Sequence, residues 1–302
     1  MAPPETAIDY RESLPGAALK GVVLAYWRVA GDGTSVPSPT ILPDAYMEIV
    51  INLGGPVTLD GPAFKGSQPA RAVVGLLDTA IEMRYPPDVC TFGIRLHPAR
   101  AASFLGVPAR ELMNTVAPLG DLSQRLDAQL ARVVEIHPRL VSAESRDAVE
   151  AVLIEHLPPA LPTDELLVRA IDRLLGADEA LAVADLATDL GVSPRHLHRR
   201  FLADVGVSPK RLERLARFAR AWRQAVMGPP VTWADLALAN GYADQSHLVR
   251  EFRTFGATPP AHLFTAEWYG ATNVAQAQGS PNDVRFVQEP SDGKRHDARR
   301  RK

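Results

Sequence analysis

The side chains with the clearest chemistry lie in residues 245–250, where several hydrogen-bond donors and acceptors occur close together. Leu248, Phe252 and Phe255 recur at spacings of four and three, which predicts a helix with one buried face. The opposite face carries donors and acceptors that match base edges in a major groove, namely Gln245, Ser246, His247 and Arg250. The segment therefore indicates a DNA-reading helix, although a solvated amphipathic helix hairpin has the same apolar pattern.

A short helix and a sharp turn precede this polar helix. Leu236, Ala237 and Ala239 form an apolar stripe, and Gly241 follows where the chain must turn, a position that favours positive φ. Asp244 is the expected N-cap of the next helix, because its side chain can accept a hydrogen bond from a first-turn N–H group. Helix, turn and helix in this order predict a helix-turn-helix unit.

A second copy of the pattern lies upstream, in residues 181–209. Gly191 takes the turn position, Ser193 is the expected N-cap, and Pro194 opens the helix where a missing N–H is tolerated. Leu197, Phe201 and Val205 face inward, in register with the other copy after one extra residue in the second turn. The residues left outside or on the flank are Arg195, His198, Arg199 and Arg200. Repetition favours a tandem DNA reader over a solvated hairpin.

A predicted helix from Pro209 to Met227 connects the two units, and Gly228-Pro229-Pro230 ends it. From Arg195 to Arg223 the chain has nine Lys or Arg residues against Asp204 and Glu213, a local balance of +7 in a chain whose total is −2. Positive charge this concentrated suits a phosphate-contacting surface, while a solvated basic face is the alternative.

Residues 181–264 resemble the C-terminal DNA-binding domain of the AraC/XylS family of transcription regulators, in which a long helix joins two helix-turn-helix units. The most specific string runs from Gly241-Tyr242-Ala243-Asp244-Gln245-Ser246-His247-Leu248 through Arg250, Phe252 and Gly256 to Thr258-Pro259. The resemblance implies that the two recognition helices enter successive major grooves on one face of the duplex. By position, it implies base contacts from Arg195, His198, Arg199, Gln245, Ser246, His247 and Arg250.

Phosphate contacts are expected from the basic connecting helix and from the N-termini of the recognition helices. The predicted set is Ser193, Lys210, Arg214, Arg217, Asp244 and Arg253. Leu202 stands where the family often has Lys, so one phosphate contact is expected to be absent from the first unit. Trp233 replaces a smaller apolar residue, which we interpret as a packing variation.

The length of 302 residues and a hydrophobic content of 46% predict two domains of ordinary size. An α+β sensor or dimerisation domain is expected over residues 1–157, followed by a stiff Pro-rich linker over 158–163. An all-α DNA-binding domain, with two helix-turn-helix units joined by a long helix, is expected over 164–266. The polar residues 267–302 predict a disordered tail, whose basic end would add non-specific phosphate affinity or merely aid solubility.

In the first domain, strands are expected before helices. Short β-favouring runs occupy residues 22–29, 47–53, 73–77, 81–85 and 90–96. Helical periodicity follows in residues 98–105, 122–136 and 145–157. The last two helices could pair across a two-fold axis or cover the sheet.

This domain also resembles an N-terminal domain of unknown function found in a subset of AraC-type regulators. The resemblance rests on Leu42-Pro43-Asp44-Ala45-Tyr46-Met47-Glu48, Asn52-Leu53-Gly54-Gly55-Pro56 and Gly93-Ile94-Arg95-Leu96-His97-Pro98. It implies small-molecule sensing, dimerisation or both. The candidate effector pocket consists of Arg95 and His97, which share a strand face by period two, together with Glu48 and Asn52. These residues could equally be the outward half of alternating strands.

Motifs for catalysis and cofactors are absent from the sequence, which has no Gly-rich phosphate loop, no Gly-x-Ser-x-Gly and no His-Glu-x-x-His. We therefore expect no enzyme, no cofactor and no metal, since His196 and His198 are two apart on a helix and point in different directions. Cys90 is the only cysteine, which excludes an internal disulfide. A buried strand position is expected for it, with redox sensing as the alternative.

The sequence thus predicts a sequence-specific DNA-binding transcription regulator, controlled by a small-molecule effector if the first domain is a sensor. Its expected partners are double-stranded DNA, RNA polymerase if it activates, and a second copy if it dimerises. No apolar run of 18 residues and no basic, apolar N-terminus occur, so a cytoplasmic protein without membrane contact is expected. The alternative is an enzyme or small-molecule-binding domain in residues 1–157 that the DNA-binding unit only targets.

Overall fold

The computed structural model describes residues 8–31, 40–158, 165–177, 181–227 and 231–257. Most of the predicted linker, the predicted tail and the string Thr258-Pro259 lie outside these ranges. Within them, antiparallel strands come first and helices follow, so the predicted fold class is confirmed.

The N-terminal unit contains two antiparallel sheets. The strands are β1 (Ile8–Ser13), β2 (Val23–Gly31), β3 (Thr40–Ile41), β4 (Met47–Asn52), β5 (Thr58–Asp60), β6 (Lys65–Ser67), β7 (Arg71–Val74), β8 (Ile81–Arg84), β9 (Cys90–Leu96) and β10 (Val116–Pro118). The larger sheet has the order β1-β2-β9-β4-β7-β10, and the smaller one has the order β3-β8-β5-β6.

Alternation along the strands explains how the two sheets are arranged. Tyr26, Ile49 and Ile94 are buried on the face of the larger sheet that the helices cover. Their neighbours on the other face, including Trp27 and Val50, pack against the smaller sheet in a second apolar cluster. Side chains of β4 and β9 that point to this second face therefore lie between the two sheets.

The described residues of this unit also form four α-helices: α1 (Pro98–Leu105), which precedes β10, and α2 (Leu119–Leu122), α3 (Gln124–Ile136) and α4 (Ala143–His156), which follow it. Leu126, Leu130, Val149 and Leu153 are fully buried in the main core. The apolar faces of α3 and α4 are therefore used to cover the sheet, which was one of the two roles expected for them.

In the C-terminal unit, the regular elements of the described residues are all helices. Its helices are α5 (Glu165–Gly176), α6 (Val183–Asp189), α7 (Pro194–Asp204), α8 (Pro209–Met227), α9 (Trp233–Ala239) and α10 (Gln245–Gly256). Gly191 and Gly241 each have a φ of +70°, as their predicted turn positions require. Two helix-turn-helix units, α6–α7 and α9–α10, are thus joined by the long helix α8. No helix in the described ranges has both the length and the apolarity that spanning a membrane requires.

One continuous core joins the N-terminal unit to both helix-turn-helix units. A Cβ added at Gly206, just after α7, would lie 2.7 Å from the carbonyl oxygen of Ala109. The two backbone segments are therefore too close at this point for a side chain at residue 206. At the other unit, the N–H of Ala80 donates to the carbonyl of Phe255 in α10, at 2.8 Å. The N-terminal unit therefore contacts both helix-turn-helix units, the first through residue 109 and the second through residue 80.

Candidate nucleic-acid interface

The first recognition helix, α7, presents the predicted reading residues on its outer face. Ser193 accepts the N–H of His196 at 3.2 Å and so caps the helix N-terminus. Leu197 and Phe201 are completely buried, which fixes the rotation of the helix about its axis. The three side chains that this rotation exposes are Arg195, His198 and Arg199. Sequence reasoning placed all three on one exposed surface, and the structure does so.

The second recognition helix, α10, is capped in the same way by Asp244, whose carboxylate accepts the N–H of His247 at 2.7 Å. The exposed predicted readers here are Gln245, Ser246 and Arg250. His247 is half-buried, with its ring edge against Tyr242 at 5.3 Å between centroids and its Nδ1 accepting the N–H of Ala243 at 3.4 Å. The structure therefore gives His247 a role in holding the turn, which leaves it less free to reach a base.

The two units correspond residue by residue in sequence from their N-caps onward. Arg199 and Arg250 each stand six residues after their caps, Ser193 and Asp244. Nine residues after the caps, the first unit has Leu202 and the second has Arg253. Corresponding positions in the two units can thus serve as matched controls for each other.

Most of the basic residues of α8 are paired with protein groups, which the prediction of a basic phosphate-binding surface did not include. The side chain of Arg217 is only 9% exposed, with Nη1 at 3.5 Å from Glu213 Oε1 and Nη2 at 3.9 Å from Glu251 Oε2. It also donates to the carbonyl of Gly241 at 3.3 Å and lies 4.7 Å from the ring centroid of Tyr242. The guanidinium of Arg217 is therefore enclosed by protein groups, and the phosphate contact predicted for it would require the side chain to leave these partners.

Arg214 completes the link between α8 and the second recognition helix. Its Nε and Nη2 donate to the two carboxylate oxygens of Glu251, at 3.2 and 2.6 Å, in a bidentate pair. This hydrogen bonding to Glu251 raises the pKa of Arg214. Lys210, in turn, lies 2.7 Å from Glu213. We name Lys210, Glu213, Arg214, Arg217 and Glu251 the internal charge network. Within it, Arg214 holds α8 against α10, and its predicted phosphate contact stays a prediction.

The remaining phosphate candidates stay at the surface. Ser193, Asp244 and Arg253 are exposed, and Lys210 keeps 62% of its side chain accessible. Because Ser193 and Asp244 use their side-chain oxygens as N-caps, a phosphate at either helix would bind backbone N–H groups rather than these side chains.

Between the two sheets, Glu48 and Arg95 form the centre of a polar cluster. They face each other in register on β4 and β9, and Arg95 Nε donates to Glu48 Oε1 at 3.0 Å. Trp27 Nε1 donates to the same oxygen at 2.9 Å. Its indole lies across β9 at Gly93, where an added Cβ would be 1.9 Å from the ring. Burial raises the pKa of Glu48, although Arg95 and these donors oppose the shift.

Further acidic groups surround the same guanidinium. Asp44 and Glu12 each lie 3.8 Å from Arg95, and the ring of Tyr46 lies 5.1 Å from its Cζ. Burial opposes the charge on Arg95, but the carboxylates of Glu48 and Asp44 outweigh burial and raise its pKa. Sequence reasoning identified Arg95 and Glu48 here; it missed Trp27, for which Gly93 within a strand was the available indication of close approach.

The other two pocket candidates lie elsewhere. Asn52 donates to Gln68 Oε1 and to the carbonyl of Pro69, both at 3.2 Å, and accepts the hydroxyl of Thr91 at 3.1 Å. Its side chain thus belongs to a separate and well-bonded network at the far end of β4. Such bonding fits a structural role better than ligand capture.

His97 does not share a face with Arg95, because β9 ends at Leu96 and His97 is the N-cap of α1. Its Nδ1 accepts the N–H of Ala99 at 3.1 Å, and its Nε2 lies 3.0 Å from Asp172 Oδ1 on α5. Only 2% of the side chain is exposed, and burial lowers the pKa of His97. The structure therefore corrects the predicted pair: His97 connects the N-terminal unit to the helix that precedes the first reading unit.

Cys90 is half-buried, and Arg28 Nη2 donates to its sulfur at 3.6 Å. Among the described residues, no group of three or more His, Cys, Asp or Glu side chains is arranged to hold a metal ion.

Comparison with known families gives two matches. A family model described as a helix-turn-helix domain matches residues 186–266. A second model, described as a domain of unknown function (DUF6597), matches residues 11–118. No curated protein matches the chain at a significant level.

Solved structures with a similar arrangement include two of ToxT from Vibrio cholerae. The structure from strain O395 is 13% identical, with a TM-score of 0.44 over 89% of this chain and 99% of that one. Wild-type ToxT from strain SCE256 with bound unsaturated fatty acid is 14% identical, with a TM-score of 0.42 over 87% of this chain and 97% of that one. The AraC-like transcriptional activator CuxR is 14% identical, with a TM-score of 0.27 over 72% of this chain and 88% of that one. At TM-scores below 0.5, these likenesses carry no argument about function.

Proposed function

We propose, from the premise that residues 186–266 are a helix-turn-helix domain of the AraC type, that this chain is a sequence-specific DNA-binding transcription regulator. The observation that carries the proposal is the equivalent exposure of Arg199 and Arg250. Each stands at the same place on a capped recognition helix, and the two helices share one core. Two readers held in a fixed relation are what recognition of a bipartite DNA site requires.

Base recognition is assigned to the exposed stripes of α7 and α10. Arg195, Arg199 and Arg250 have the geometry to donate two hydrogen bonds to guanine O6 and N7, and Gln245 can pair with adenine. The other predicted readers are Ser246, His198 and, with less freedom because of its contact with Tyr242, His247. Arg253 and the backbone N–H groups at the two helix N-termini would hold phosphates.

We further propose that a small polar molecule binds between the sheets and controls the DNA-binding unit. Glu48 and Arg95 support this placement, because they lie in the sheet interior with Trp27 and Tyr46 beside them. The route to the DNA-binding unit is short, since β9 carries Arg95 and ends one residue before His97, which contacts α5. A shift of β9 would therefore move His97 and, through its contact with Asp172, would shift α5.

A thermal-shift panel of sugars, amines and carboxylic acids tests this effector site. A compound that binds between the sheets is expected to raise the melting temperature of the wild type by at least about 2 °C. Glu48→Gln should abolish the shift, because it removes the charge at the centre of the cluster. Glu82→Gln is the matched control, since Glu82 is exposed on β8. Equal shifts in all three proteins would contradict the placement.

The proposal also covers the location, the partners and the domain limits of the protein. We propose that the protein acts in the cytoplasm on double-stranded DNA, that it contacts RNA polymerase if it activates, and that a homodimer forms through the N-terminal unit. We also propose that the chain has no catalytic activity. The domain limits remain those predicted from the sequence, with an α+β domain over 1–157, a linker over 158–163, a DNA-binding domain over 164–266 and a tail over 267–302.

Selection of binding sites from randomised duplex DNA with the full-length protein tests the proposed function. The expected result is an enriched site with two short blocks about 10 base pairs apart, one for each recognition helix. The selection is carried out at one stated salt concentration, because affinity for DNA falls steeply with salt. Tight binding without any enrichment, with and without a stabilising compound from the panel, would contradict sequence-specific recognition.

A further inference from the structure

Leu202 is an exposed apolar side chain next to the polar predicted base readers of α7. It lies in α7, and 47% of it is accessible. A single exposed leucine on a protein surface usually needs no explanation. Its place on the recognition helix is what distinguishes this one.

The helix geometry puts Leu202 in line with the predicted base readers. At about 100° per residue, Arg195, Arg199 and Leu202 fall within about 60° of one another around the axis of α7. Leu197 and Phe201 are fully buried on the other side, so the rotation of the helix is fixed and Leu202 must face outward with the two arginines. It lies one turn beyond Arg199, about 4.5 Å further along the axis.

The chemistry available to leucine in a major groove is narrow. Leucine has no hydrogen-bond donor or acceptor, so it recognises neither a phosphate nor the polar edge of a base. The apolar group that base pairs present in the major groove is the 5-methyl group of thymine. Resting on this methyl group would also remove the exposed part of Leu202 from water, which is favourable for both partners.

We propose, on the basis of the DNA-reading function above, that Leu202 determines specificity by contacting the methyl group of a thymine in the block read by the first unit. The second unit differs at this point, because Arg253 occupies the corresponding position, nine residues after the N-cap. The two units therefore differ in kind at this position: the first selects a thymine methyl, and the second contacts a phosphate.

Replacing single thymines of the selected site with deoxyuridine, which lacks only the methyl group, tests the proposal. Wild-type protein is expected to lose affinity about fourfold at one thymine of one block, the effect of withdrawing one buried methyl group. The Leu202→Ala variant should bind the thymine and deoxyuridine forms of that position equally. Arg253→Ala, the matched control, should bind every duplex more weakly while keeping the deoxyuridine effect.

Three results would overturn the proposal: indifference of the wild type to deoxyuridine at every position, a first block without thymine, or an undiminished deoxyuridine effect in Leu202→Ala. Failure of the proposed function is distinguishable, because it would leave no enriched site in which to make the replacements. Leu202 is half exposed, so the melting temperature of the Leu202→Ala variant should match that of the wild type within about 1–2 °C.

Discussion

Replacing Arg217 with methionine is expected to lower the free energy of unfolding by about 3 kcal/mol, measured by urea unfolding of the full chain. Methionine has a similar reach but no charge, so the buried carboxylates of Glu213 and Glu251 would share one cation fewer. Their side chains are 5% and 6% exposed, and water cannot replace the lost partner. The carbonyl of Gly241 would also lose its guanidinium donor.

Two further variants decide whether the loss arises from the internal charge network. Adding Glu213→Gln to Arg217→Met should recover part of the stability, because the double variant no longer buries a Glu213 carboxylate that has lost one of its two cationic partners. Arg253→Met, at an exposed position of α10, should change the free energy of unfolding by less than about 0.5 kcal/mol. Unchanged stability in Arg217→Met, accompanied by equal weakening of binding to all DNA sequences, would restore Arg217 to the phosphate-binding role predicted from the sequence.

The contrast between Arg217 and Arg199 illustrates what the sequence could predict. The reading stripe of α7 depends on features within a few residues of one another: the cap Ser193, the turn at Gly191 and the apolar spacing of Leu197 and Phe201. Local features of this kind fix the rotation of a helix, and with it the outward face. The repeat of the pattern at α10 then indicated the same geometry a second time.

The partners of the basic residues on α8 could not be predicted from such local features. Arg214 meets Glu251 across 37 residues of sequence, and Arg211 meets Asp78 across 133, at 2.6 Å. A run of positive charge looks the same in sequence whether its partners are phosphates or distant carboxylates. Helical spacing places Glu251 on the same side of α10 as Leu248 and Phe255, but it does not show which distant cation the carboxylate meets.

In the N-terminal unit, the ends of the strands were likewise not predictable from the period of the sequence alone. Period two placed Arg95 and His97 on one face, but the strand stops at Leu96 and Pro98 begins a helix. A residue that can accept a hydrogen bond just before a proline is a typical N-cap, and this was the indication available for His97. Strands such as β3 and β6, of two and three residues, contain too little alternation to be predicted at all.

Loss of Arg250 is expected to change which DNA the protein prefers, rather than only how tightly it binds. On the selected site, Arg250→Ala should cost about 1–3 kcal/mol, because one bidentate contact with a base is lost. On random duplex of equal length the loss should be much smaller, so the ratio of specific to non-specific affinity falls. Binding is measured by titration at several salt concentrations, which separates base contacts from phosphate contacts.

The tandem arrangement supplies the controls for this experiment. Arg199→Ala should produce a comparable loss confined to the other block, and the two losses should add in the double variant, since the residues lie on separate helices. Arg253→Ala should instead weaken binding to all sequences alike and reduce the salt dependence by about one ion. Equal losses on specific and random DNA for Arg250→Ala would show that this arginine contacts the backbone, and the stripe of α10 would then be a phosphate surface instead of a base reader.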